Sequence, residues 1–128
     1  MLLIFVMYFT IPGLTQDKSY VIKGKIFDID LNGESIELVE LGDGHNGTLQ
    51  NTRVRNNEFS FTGTVAKPAL WMLLIENHRV LLVGENAEIS VKIYSDSTRV
   101  SGTKSNDDFQ DFIDKSNAYR KKITELFT

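Results

Sequence analysis

Two histidines, a glycine-rich loop and an aspartate-spaced loop are where this sequence could do chemistry. "GDGHNG" at 42–47 sets Gly42, Gly44 and Gly47 in the G-x-G-x-x-G spacing that lets a backbone approach a pyrophosphate. That chemistry needs a strand before the loop and a helix after it, so that the helix N-terminus meets the phosphates. The strand is present, but "TLQNTRVR" alternates like a further strand, and an acidic ribose ligand would fall near Lys67. The loop reads as a β-turn. "DIDLNGESIELVE" begins like a calcium loop, with Asp28, Asp30 and Asn32 at alternate positions and Gly33 at the turn. The closing position, which needs a bidentate glutamate, is Val39, and Glu40 comes one residue late. Asp28, Asp30 and Asn32 are therefore only weak metal candidates, and an Asn-Gly hairpin is the preferred reading.

His45 and His78 fall in predicted turns, where a solvated histidine is the ordinary outcome. A general base needs a nucleophile or carboxylate brought to it by the fold. Trp71 sits in the most apolar run and reads as core, although a ligand groove formed with the 42–47 loop is a second reading. Asn46-Gly47-Thr48 matches the N-glycosylation sequon, and Asp96-Ser97-Thr98 resembles an O-glycosylation acceptor of some bacterial envelope proteins. No catalytic constellation and no cofactor-binding set emerges, so the chain is read as non-enzymatic.

Composition narrows the classes further. A chain of 128 residues with 41% hydrophobic and 24% charged content reads as one globular domain. Its net charge of −3, with basic residues scattered along the chain, argues against nucleic-acid binding. Cysteine is absent, which removes disulfides, thiolate metal sites and thiol chemistry together. The uncharged start "MLLIFVMYFTIPGLT" holds an apolar run from Leu2 to Phe9 and then a Pro12-Gly13 break. It is too short to span a bilayer and lacks a basic leading segment, yet it resembles the apolar core of a secretory signal. The expectation is a signal peptide over 1–15, cleaved before Gln16, with membrane contact only transient.

The elements that would position any site are mostly strands. Period-two alternation puts Tyr20, Ile22, Gly24 and Ile26 on one face of the first, and Ile36 and Leu38 on one face of "ESIELVEL". Phe59, Phe61, Gly63 and Val65 share a face in "NEFSFTGTV", as do Ile89, Val91 and Ile93 in "EISVKIY". The continuous apolar runs "ALWMLLI" (69–75) and "RVLLVG" (79–84) read as strands buried on both faces. Pro68 marks a strand start or an edge. About seven or eight short strands predict a mainly β protein, an antiparallel β-sandwich over 16–102, followed by a C-terminal α-helix over 103–128.

Ser105 with Asp108 reads as a capping box that opens this helix. Phe109, Phe112, Ile113, Tyr119, Ile123 and Leu126 recur at helical spacing as one apolar stripe and are the candidate interaction residues. Asp107, Asp108, Asp111 and Asp114 lie early and Arg120, Lys121 and Lys122 late, in the order the helix dipole favours. No glycine or proline signals a stop.

The order "SYVIKGKI", "NNEFSFTGTV", Pro68 before an apolar strand, "LLVGENAEISVKI" and "VSGTKSNDDFQDF" resembles a known arrangement. It is similar to an uncharacterised β-rich domain at the N-terminus of thioredoxin-like, AhpC/TSA-type thiol–disulfide oxidoreductases of the Gram-negative cell envelope. The passage G-[ST]-K-S-N-x-x-[FL] into a helix is the most specific piece. The resemblance implies export to the periplasm or cell envelope, and a helical connector leading to a thioredoxin-like domain. That domain's Cys-x-x-Cys site has no counterpart in a cysteine-free chain, so no redox residue carries over. The expected role is an accessory module docking a thioredoxin-like partner or a second copy through the helix. The alternative is a small-ligand or glycan-binding sandwich of the envelope.

Overall fold

The structure, a computed structural model, describes residues 19–42 and 47–127. Eight strands precede one helix: β1 Tyr20–Ile26, β2 Ser35–Glu40, β3 Gly47–Arg53, β4 Glu58–Gly63, β5 Ala69–Ile75, β6 His78–Gly84, β7 Glu88–Ile93, β8 Thr98–Ser101 and α1 Lys104–Leu126. They form two four-stranded sheets, β4-β1-β7-β8 and β3-β2-β5-β6. The mainly β sandwich followed by a helix is as expected. One pairing departs from the antiparallel pattern: β1 runs parallel to β7. The chain leaves the first sheet after β1, and β7 returns beside β1 in the same direction.

Alternation decides which face is buried. Ile22, Phe59, Phe61, Ile89, Val91, Ile93 and Val100 point inward from the first sheet, facing Ile36, Leu38, Trp71, Leu73, Ile75, Val80 and Leu82 from the second. Strand glycines on the inner face make room for rings. The Phe59 ring lies over Gly24, Tyr20 over Gly63 and Trp71 over Gly84, each where a Cβ would collide. Tyr20 and Trp71 then meet edge-on with centroids 4.9 Å apart, joining the two sheets. Trp71 is thus a core residue, 1% exposed.

Two local readings change. The apolar runs are buried on one face only: Trp71, Leu73, Val80 and Leu82 face inward, while Leu70 is 41% exposed and Met72, Leu74, Leu81 and Val83 are half-buried. Among the described residues no second layer covers that outer face. Asn32-Gly33 is a turn, with Gly33 at φ +86° and the Glu34 N–H donating to Leu31 O, but not a hairpin. It carries the chain from one sheet to the other, because β2 pairs with β3 and β5 rather than with β1. Pro68 immediately precedes β5, as a residue without an N–H should.

Candidate interaction surface

The sandwich has an open side where β6 ends one sheet and β8 ends the other. Unpaired edge groups there need partners or cover. The start of α1 supplies both. Gly102 turns the chain with φ +111°, and a Cβ at that position would sit 2.8 Å from Glu88 O. Thr103 is the N-cap: its hydroxyl oxygen accepts from the Asn106 N–H at 3.1 Å. The helix therefore begins at Lys104, and Ser105 lies inside its first turn, so the Ser105–Asp108 capping box does not form. The cap moves forward because Gly102 makes the turn and Asn106 must enter the fold.

Asn106 is fully buried. Its Oδ1 accepts from the Val83 N–H at 2.7 Å and its Nδ2 donates to Val83 O at 2.9 Å, so the side-chain amide pairs with the β6 edge as a strand would. The Thr103 hydroxyl donates to Glu85 Oε2 at 2.7 Å and closes the network. One turn on, Gln110 Oε1 accepts from the Val100 N–H of β8 at 2.8 Å, and its Nε2 donates to Asp114 at 3.0 Å. Asp114 also holds Arg99 of β8 at 2.7 Å. Hydrogen bonds from Arg99 and then Gln110 keep the Asp114 carboxyl below the ordinary carboxylate range.

The candidate interaction residues divide. Phe109 and Ile113 are half-buried against the sandwich, whereas Phe112 is 64% exposed, Tyr119 68%, Ile123 39% and Leu126 77%. At about 100° per residue the four exposed side chains share one stripe, rotated roughly 110° from the direction of Asn106 and Ile113. The expected single stripe is two. The basic residues Arg120, Lys121 and Lys122 stop short of the last turn, which carries none.

The other candidates are dispersed. Asp28 Oδ1 accepts from the Ser95 N–H, Asp30 Oδ1 from the Asn32 N–H, and Asn32 Oδ1 from the Asn57 N–H. Each of the three is thus engaged with backbone, and among the described residues no His/Asp/Glu group is arranged to hold a metal. Gly42 has φ +114°, and Gly47 opens a strand rather than the helix a pyrophosphate loop needs. His45, Asn46, Gly44 and the 1–15 segment lie outside the described residues. His78 opens β6 instead of sitting in the turn before it, and its buried Nδ1 has no hydrogen-bond partner among the described residues. It shares a concavity with Asp96, with no bond joining the two. Glu34 is held above its ordinary value by a hydrogen bond to Glu76 and by repulsion from it.

Asn106 and Gln110 are what sequence reading passed over. Asn106 is the fixed asparagine of the G-[ST]-K-S-N-x-x-[FL] passage, whereas Gln110 carries no signal beyond an amide side chain in the first turns of a helix, where such groups otherwise favour caps. No helix among the described residues is long and apolar enough to cross a membrane.

Searches among curated proteins and among solved structures found no match. A family model described as a domain of unknown function (DUF4369) matches residues 20–109. The matched span starts at the first residue of β1 and ends at Phe109, within the anchored part of α1. It takes in the eight strands, the Gly102 turn, the Thr103 cap and the buried Asn106. The chain belongs to the DUF4369 family.

Proposed function

We propose that this chain is a non-catalytic accessory module of the cell envelope that presents α1 to a thioredoxin-like domain. One observation carries the reading. The exposed stripe of Tyr119, Ile123 and Leu126 lies beyond the helix's last described anchor, Asp114, and is turned away from the sandwich's own core. An amphipathic surface helix ordinarily spends its apolar stripe on its own domain. Here roughly 18 Å of helix after Asp114 holds its apolar face out, a form suited to docking in a partner's groove. The resemblance in the order of motifs names the partner class, and the absence of cysteine assigns any redox step to that partner.

A photo-crosslinking residue at position 119, with a control at Thr62 on β4, the far edge of the first sheet, tests this in envelope extracts. The expected product is an adduct at position 119 alone, with a protein carrying a Cys-x-x-Cys site. An adduct only of the chain with itself overturns the partner assignment in favour of a second copy, and no adduct overturns docking altogether. The alternative, a small-ligand or glycan groove built on Trp71 and the 42–47 loop, is less favoured because Trp71 is 1% exposed.

A further inference from the structure

The outer face of the first sheet gathers charge that is scattered along the chain. Strand register sets Glu58, Lys25, Lys92 and Arg99 side by side across β4, β1, β7 and β8. The next row on the same face reads Ser60, Lys23, Ser90 and Ser101. Neighbouring strands stand about 4.8 Å apart, so three cations occupy adjacent positions, an arrangement that like-charge repulsion disfavours. Some of that charge is answered. Arg99 meets Asp114 at 2.7 Å, Lys23 meets Glu88 at 3.4 Å and Lys25 meets Glu58 at 4.0 Å. Among the described residues, Lys92 has no carboxylate within ion-pair reach; Asp107, Asp111 and Asp114 share a groove with it but engage the Gly102 N–H, Lys115 and Arg99.

Arg53 and Arg55, at the end of β3 and just beyond it, wall one side of this face. With Lys23, Lys25 and Lys92 they line a concavity of about 630 Å³ in which, among the described residues, Glu58 is the sole carboxylate. Arg53 spends one N–H on Gly33 O at 2.7 Å, and no ion pair among the described residues engages Arg55. The volume is within the usual range for small-molecule sites. Ser60 and Ser90 add hydroxyls on either side of Lys23. Among the described residues the only aromatic one in the lining is Phe59, which is buried in the core, so recognition rests on charge and hydrogen bonding rather than ring stacking.

We propose that this concavity binds a small, hydroxylated molecule bearing anionic oxygen groups, whether phosphate, sulfate or carboxylate. Lys92 and Arg55 make the charged contacts, and Ser60 and Ser90 orient the ligand. The site is on a different face from the exposed stripe of α1 and does not depend on what that helix docks.

Amide NMR titration of the chain tests it, with inorganic pyrophosphate and citrate as soluble probes and phosphatidylglycerol vesicles, against phosphatidylcholine, as the headgroup arm. The expected result is saturable shifts confined to residues 23–25, 55–60 and 90–92 with a soluble probe, weakened by added salt. Lys92→Gln weakens that binding about tenfold, the loss of one charge-assisted contact, and Lys121→Gln on α1 leaves it unchanged. Shifts that spread over every lysine without saturating overturn the site, as does unchanged affinity in a Lys92→Gln/Arg55→Gln variant whose urea midpoint is intact. Binding to phosphatidylglycerol vesicles with none to either soluble probe overturns the small-molecule assignment.

Discussion

Between Lys104 and Asp114, α1 is tied to the sandwich by polar side chains that reach strand backbone; beyond Asp114 the same helix turns its apolar side chains to solvent. The usual economy of a surface helix is reversed. Asn106 and Gln110 bond directly to strand backbone, at Val83 and Val100, while Tyr119 and Leu126 remain more than two-thirds exposed. Polar attachment fixes position and register, because a side-chain amide aligned with one strand residue fits no other. Apolar exposure leaves the distal turns available. One helix thus serves as an edge cover at its start and as a presented surface afterwards.

The contrast breaks most readily at Asn106. Replacing it by leucine leaves the Val83 N–H and carbonyl facing an apolar group, and each buried group left without a partner costs about 1–3 kcal/mol. Asn106→Leu is expected to lower unfolding free energy by roughly 3 kcal/mol in urea titration, with hydrogen exchange quickening across residues 104–113. An unchanged midpoint would mean that the apolar contacts of Phe109 and Ile113 hold the helix instead.

Gly102→Ala comes next. Its Cβ would press on Glu88 O in a backbone region that side chains avoid, at a cost of about 1–3 kcal/mol, and the entry angle of α1 should shift with it. A midpoint equal to wild type would show that the turn relaxes freely.

Arg99→Ala sharpens the comparison through pH. Asp114 has its folded pKa below its ordinary value of 3.8, so its interactions contribute fully above that value and are lost as pH falls through the lowered folded one. The wild type should therefore lose stability across that acid window, and Arg99→Ala should flatten the decline. The effect is smaller than either change above because the pair is exposed.

The smallest effect belongs to the distal half. Ile123→Ser/Leu126→Ser should leave the unfolding free energy within about 0.5 kcal/mol of wild type while removing the crosslink from position 119 to a partner. A large loss of stability would place those side chains in the fold of the chain itself.

Most of the sandwich was legible because a half-buried strand writes its orientation into alternate residues, as Ile22, Phe59 and Ile89 do. The apolar runs misled because a single sequence does not reveal whether a second layer covers Leu70 or Met72. Ser105 and Asp108 satisfy a local capping pattern, but Asn106 is claimed by Val83, a strand residue 23 positions earlier, and that claim sets where the helix starts. The cationic concavity was hidden for a related reason. Lys25, Arg55 and Lys92 are far apart in the chain, and only the parallel pairing of β1 with β7 makes neighbours of the two lysines.

That parallel pairing also dictates an order of assembly. β1 sits between β4 and β7, so the first strand made cannot complete its ladder until residues near 93 exist. Contacts of such wide sequence separation form slowly, because the loop entropy comes due before they can compensate it. During synthesis the second sheet can close while β1 still lacks one neighbour. A ribosome-bound series of growing lengths should show protease resistance arriving late and abruptly, once β7 clears the exit. Until then β1 keeps one open edge, a property written into strand order rather than into any single residue.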